Sequence, residues 1–167
     1  MTTNRITAGV ERALLENALD RNREALIATA RGLSDTDARR RLVTSLTTPI
    51  SLLKHAAAAE RIWFQRFWAG LGESDCDGYA RRDEGTFTVT ARESLADVIA
   101  EFERASRRSR EIAARFALDD TRDIPGEGTI SMRFTLLAMI EEFARHAGHG
   151  DILREQIDEP TRGVAHR

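Results

Sequence analysis

The chain has 167 residues and a formal net charge of -2, with 31% charged and 41% hydrophobic residues. This balance excludes a disordered chain and gives no ground for general attraction to nucleic acid. No apolar run approaches the roughly 20 residues that span a bilayer, and the single cysteine, Cys76, excludes an internal disulfide.

The first helical pattern runs from about Ala8 to Gly32, with Leu15, Leu19, Leu26 and Ala30 at helical spacing. Thr7 is placed to cap its start, and Gly32 to end it in a left-handed conformation. Ser34-Asp35-Thr36-Asp37 then predicts a short capped helix reaching Leu42, with Arg39 to Arg41 on a solvated face. A second long helix opens at Thr48-Pro49, where proline at the first helical position loses nothing by lacking an N–H, and runs to about Ala69. The connection from Leu71 to Val89 is long and acidic, and reads as a lid or a mobile segment. Within it only Thr86 to Val89 reads as an extended piece.

The third long helix is predicted to open at the box Thr90-Ala91-Arg92-Glu93, and its apolar stripe continues to Phe116. The fourth opens near Ser131 and runs to about Asp158. No segment shows a convincing strand period. Four long helices predict an all-α fold, a four-helix bundle, in one domain over 1–167. The N-terminus lacks the apolar core of a signal peptide, so a cytoplasmic protein is expected. Lys54 is the only lysine beside 24 arginines, which reads as the mark of a GC-rich genome such as an actinobacterial one.

The chemistry concentrates in the fourth helix, in Glu141-Glu142-Phe143-Ala144-Arg145-His146-Ala147-Gly148-His149. Glu142 and His146 are four apart, and His149 follows three later. The three are expected on one core-facing stripe between Met139 and Leu153. A carboxylate and imidazoles on such a stripe must be paired or must hold a cation. His55, in an apolar stretch of the second helix, is the natural third ligand, since His166 is the penultimate residue. A histidine merely hydrogen-bonded to a glutamate is the alternative. His149 reads as a partner behind the ligands, a catalytic base or a surface residue. Cys76 sits between Asp75 and Asp77, which disfavours it as a nucleophile. Arg133 and Arg145 are candidates to meet substrate carboxylates.

Two stretches carry a family resemblance. Leu52-Leu53-Lys54-His55 with Glu60-Arg61-Ile62-Trp63-Phe64 resembles the second-helix signature of the DinB-like, YfiT-like superfamily, and Met139 to Glu155 resembles its fourth-helix signature. Leu33 to Arg39 also fits the branch related to mycothiol-dependent maleylpyruvate isomerase, though Ala138 stands where many relatives of that branch carry a histidine. The resemblance implies an up-down-down-up bundle. It also implies a divalent metal held by a second-helix histidine and a Glu-x-x-x-His pair, which would be His55, Glu142 and His146. Zinc is the foremost metal, with nickel and iron as alternatives.

The activity implied is that of a thiol-dependent S-transferase or isomerase. Mycothiol would be the cosubstrate, a small electrophile the acceptor and His149 a catalytic residue. A metal-dependent hydrolase and a non-enzymatic, metal-binding stress-response bundle are the alternatives. The expected partners are small molecules, with no nucleic acid or membrane, and a homodimer is one option for assembly.

Overall fold

A computed structural model describes residues 3–159 apart from Pro125 and Glu127, so His166 lies outside the described residues. The first helix, α1 (Glu11–Ala30), begins three residues later than predicted, and its cap residue Val10 makes no side-chain bond. Thr7 does not cap it. The preceding segment instead runs back along the helix, where Asn17 receives the Ile6 N–H at 2.9 Å and donates to the Asn4 carbonyl at 2.8 Å. Gly32, at φ +80°, ends the helix in the left-handed region where side chains are disfavoured.

Ser34 accepts the Asp37 N–H at 3.0 Å and opens α2 (Asp35–Ala38). This is a single turn that stops short of Leu42. Beyond it the arginines are tethers rather than a free face: Arg39 bonds the carbonyl of Thr90 at 2.9 Å, and Arg41 bonds those of Thr44 and Ser45 at 3.1 Å each.

The Thr48–Ser51 capping box and Pro49 start α3 (Pro49–Glu60) as expected. Without a break it becomes a π-helical stretch, Arg61–Trp68, whose wide closing turn has the Ala69 N–H bonded to the Phe64 carbonyl at 2.8 Å. Short 3-10 turns follow at Glu73–Asp75 and Glu84–Phe87, so the piece expected to be extended from Thr86 begins inside a turn.

The next helix, α4 (Leu95–Ala113), starts five residues after Thr90. Thr90 and Glu93 do bond each other, the Thr90 N–H reaching Glu93 Oε2 at 2.8 Å, but the adjacent box of Ser94 and Asp97 captures the helix. A hairpin not expected from the sequence follows: β1 (Thr121–Ile124) pairs antiparallel with β2 (Gly128–Ser131), Thr121 opposite Ser131 and Ile124 opposite Gly128. Its strands are short and mostly exposed, so they carry no apolar period. Ser131 closes β2 and caps α5 (Met132–Asp158) by accepting the Phe134 N–H at 3.1 Å.

The architecture is the expected all-α four-helix bundle, with the hairpin as its only sheet among the described residues. The core gathers Leu19 and Leu26 of α1, Leu52 and Leu53 of α3, Phe64 and Trp68 of the π-helical stretch, Phe102 and Ile112 of α4, and Met139 and Phe143 of α5. At the α1–α5 crossing a Cβ on Gly150 would lie 2.5 Å from Thr29 Oγ1, so only glycine permits that approach. A buried ion pair spans the core: Arg23 donates to both carboxylate oxygens of Glu60, at 2.6 and 3.0 Å. No helix of the described residues is long and apolar enough to cross a membrane.

Candidate metal centre

The i, i+4 spacing on α5 does what helical geometry dictates: His146 Nε2 lies 2.9 Å from Glu142 Oε1. Across the bundle, α3 brings His55 Nε2 to the same oxygen, also at 2.9 Å. One ligand atom from each of the three residues falls within 4.8 Å of the others. All three side chains are half-buried, and the two imidazoles meet edge-on with centroids 4.9 Å apart.

The turn Glu84–Phe87 completes the surroundings. Phe87 stacks on the His55 ring at 4.2 Å and 10° between planes. Thr86 Oγ1 lies 2.9 Å from His55 Nδ1 and donates its own proton to the Asp83 carbonyl at 3.0 Å. A hydroxyl has one proton, so Thr86 must accept from Nδ1–H, and Nε2 is the nitrogen that faces Glu142, a donor to it when protonated and free to bind a cation when not. Nothing in the sequence pattern marked Thr86 or Phe87 for this place.

Hydrogen bonds from His146 and then His55 hold the Glu142 carboxyl well below the usual range, against the effect of burial. His146 Nδ1 is buried without a hydrogen-bond partner. Two imidazole nitrogens on one carboxylate oxygen need positive charge between them, either protons or a cation. Two nitrogens and an oxygen are a donor set suited to zinc, nickel or iron, and a His55 fixed through its far nitrogen is the usual second support of such a ligand. The residues present therefore fit a divalent metal.

His55 and Glu142 face an open cleft of about 790 Å³. Ile62, Trp63, Phe87 and Ala138 give it apolar walls, while Arg82, Asp83, Glu84, Glu141 and Arg145 supply charge. The Arg82 guanidinium lies over the Trp63 ring at 5.1 Å.

Other expectations need correction. The core stripe of α5 is Met139, Phe143, Ala147, Gly150 and Leu153, with Glu142 and His146 at its border. His149 is exposed and lies off that stripe, its ring 5.6 Å from that of His146. Arg133 does not reach the cleft: it pairs with Glu11 at 2.9 Å and with Asp119. Arg145 does line the cleft and pairs with Glu141 one turn back. Burial, more than the neighbouring aspartates, pushes the Cys76 thiol up, away from the thiolate.

No curated protein matches the chain in sequence. A conserved protein of Enterococcus faecalis, known from a crystal structure, is similar in fold: the TM-score is 0.64 at 15% identity, over 90% of this chain and 98% of that one. The family model described as mycothiol-S-transferase matches residues 14–159. That match covers most of the bundle, α5 included, and the chain belongs to the mycothiol-S-transferase family, with the DinB-like fold.

Proposed function

We propose that the protein is an enzyme that transfers a small thiol of the mycothiol kind onto an electrophilic carbon, using a divalent cation, zinc foremost, held by His55, Glu142 and His146. The observation that carries this reading is the convergence of two imidazole nitrogens and one carboxylate oxygen at the edge of an open cleft. A cation held there would favour the thiolate over the thiol and so raise its nucleophilicity. Thr86 fixes the His55 tautomer, and Phe87 fixes the ring plane by stacking. Glu142 supplies negative charge that offsets the cation. Ile62 and Trp63 exclude water from one wall, while Arg145 at the cleft offers a cation to an anionic group on either substrate. His149, beside His146, serves to orient a ligand or accept a proton.

Calorimetry of the metal-loaded protein with mycothiol, in two buffers of different ionisation enthalpy, tests this. Binding should release protons, should vanish with chelator and should fall sharply in His55→Ala. No heat of binding with metal confirmed present would overturn the thiol reading. Ester or amide hydrolysis without added thiol would then favour the hydrolase.

A further inference from the structure

We infer that a second, smaller cleft beside the metal centre seats the electrophile, and that the electrophile is apolar. This rests on the transferase reading above. The smaller cleft, about 260 Å³, is formed by Val43, Ser45, Thr47, His149, Ile152 and Leu153. Ser45 and Thr47 also line the large cleft, so the segment 43–47 is a bank common to both. Arg41 braces that bank through the carbonyls of Thr44 and Ser45. Along α5 the large cleft ends at Arg145 and the small one begins at His149, with His146 between them.

The two clefts differ in chemistry. The large one carries two arginines and four carboxylates, and has room for a hydroxyl-rich thiol. The small one has no carboxylate, lysine or arginine: Val43, Ile152 and Leu153 give it aliphatic walls beside Ser45, Thr47 and His149. Val43 and Ile152 remain 43% and 56% exposed there, apolar surface that an apolar ligand would cover.

A transfer needs its two reactants adjacent. A carbon lodged against His149 would sit beside His146, a member of the metal centre whose ring is 5.6 Å from that of His149. For a 2-alkenal the step balances as an addition. The sulfur forms a bond to the β-carbon and gives up its proton. The C=C π pair moves toward the carbonyl oxygen, and the α-carbon takes one proton back.

The test uses mycothiol with 2-alkenals from four to eight carbons. In the parent protein kcat/KM should rise about fourfold per methylene until the cleft is filled, since each buried CH2 is worth ~0.8 kcal/mol. Ile152→Glu alters an exposed position and should keep the fold. It should raise KM for the longer alkenals roughly tenfold or more, by setting a carboxylate against an apolar chain, and leave the heat of mycothiol binding unchanged. An unchanged alkenal KM in Ile152→Glu would overturn the inference, as would loss of mycothiol binding with alkenal KM intact. A second readout is independent of thiol. Octanamide, an unreactive analogue, should shift the amide resonances of residues 43–47 and 149–153. Shifts confined to other residues would overturn the inference. Shifts there without any mycothiol binding would uphold the apolar site and sink the transferase reading instead.

Discussion

The Thr86 hydroxyl accepts a hydrogen bond from His55 Nδ1–H at 2.9 Å because its own proton is committed to the Asp83 carbonyl. A loop residue thereby decides which nitrogen of a helix residue is free to bind a cation.

Thr86→Val should weaken metal binding roughly 10–100-fold, the usual cost of losing a ligand's outer hydrogen bond, while Thr86→Ser restores it. Competition with a chromogenic chelator measures both. Equal affinity in the valine variant and the parent would show that the hydroxyl does not orient the ring.

His149→Ala should retain stoichiometric metal by elemental analysis, because Glu142 and His55 already complete the set around His146. Turnover should fall if the imidazole orients a ligand or accepts a proton. Loss of the metal in this variant would move the pair to His146 and His149.

The loop from 71 to 89 is anchored at Asp77, whose carboxylate accepts from the fully buried Arg61. Burial alone would raise the Asp77 carboxyl, but the hydrogen bond from Arg61, together with Gln65 and the charges of Arg61 and Arg104, outweighs it and holds the group below its ordinary 3.8. A lowered folded value means stabilisation that is complete above the ordinary value and lost as pH falls through the folded one. Asp77→Asn should therefore be less stable than the parent at neutral pH, and the gap should close on acidification below about pH 4. Hydrogen exchange should show the loop amides opening faster in the variant. A pH-independent gap in denaturation midpoints would exclude this linkage.

Arg23→Leu leaves the Glu60 carboxylate buried without its bidentate partner, and should cost about 3–5 kcal/mol. Denaturant unfolding reads that directly. Burial alone would lower the guanidinium's pKa, but Glu60 and Asp20 raise it above its ordinary value, so the pair stays ionised and the loss is one of charge pairing. A double variant with Glu60→Met should recover most of the stability.

What was legible in the sequence was local. Ser34, Thr48 with Pro49, and Ser131 each announce a helix through a bond no more than three residues away, and each caps in the structure. Where two caps compete, as at Thr90 and Ser94, local rules do not choose between them. Ser94 opens the helix, and the Leu95 N–H also bonds Asp35 Oδ1 at 2.7 Å, a contact 60 residues distant. The hairpin was missed because exposed strands need no apolar alternation. At the site, Glu142 and His146 were visible as a helical pair and His55 as a polar interruption in an apolar helix. Thr86 and Phe87 were not, because the loop that carries them is placed by Arg61 and Asp77, a pairing no spacing rule describes. For His149 spacing alone is ambiguous: an offset of three from His146 fits the same face, yet here it carries the ring past the buried stripe into solvent.

The π-helical stretch Arg61–Trp68 has a consequence for how this helix tolerates change. Each wide turn sets the downstream face back by about one residue, or ~100°. Upstream, the helix turns His55 toward Glu142. Downstream, Trp68 meets α5 and donates its indole N–H to Thr135 Oγ1 at 2.9 Å. Deleting one residue between them would let the segment take ordinary winding and still leave both His55 and Trp68 on their present faces. The wide turn therefore works as a splice that takes up one residue and holds the two halves of the helix in register.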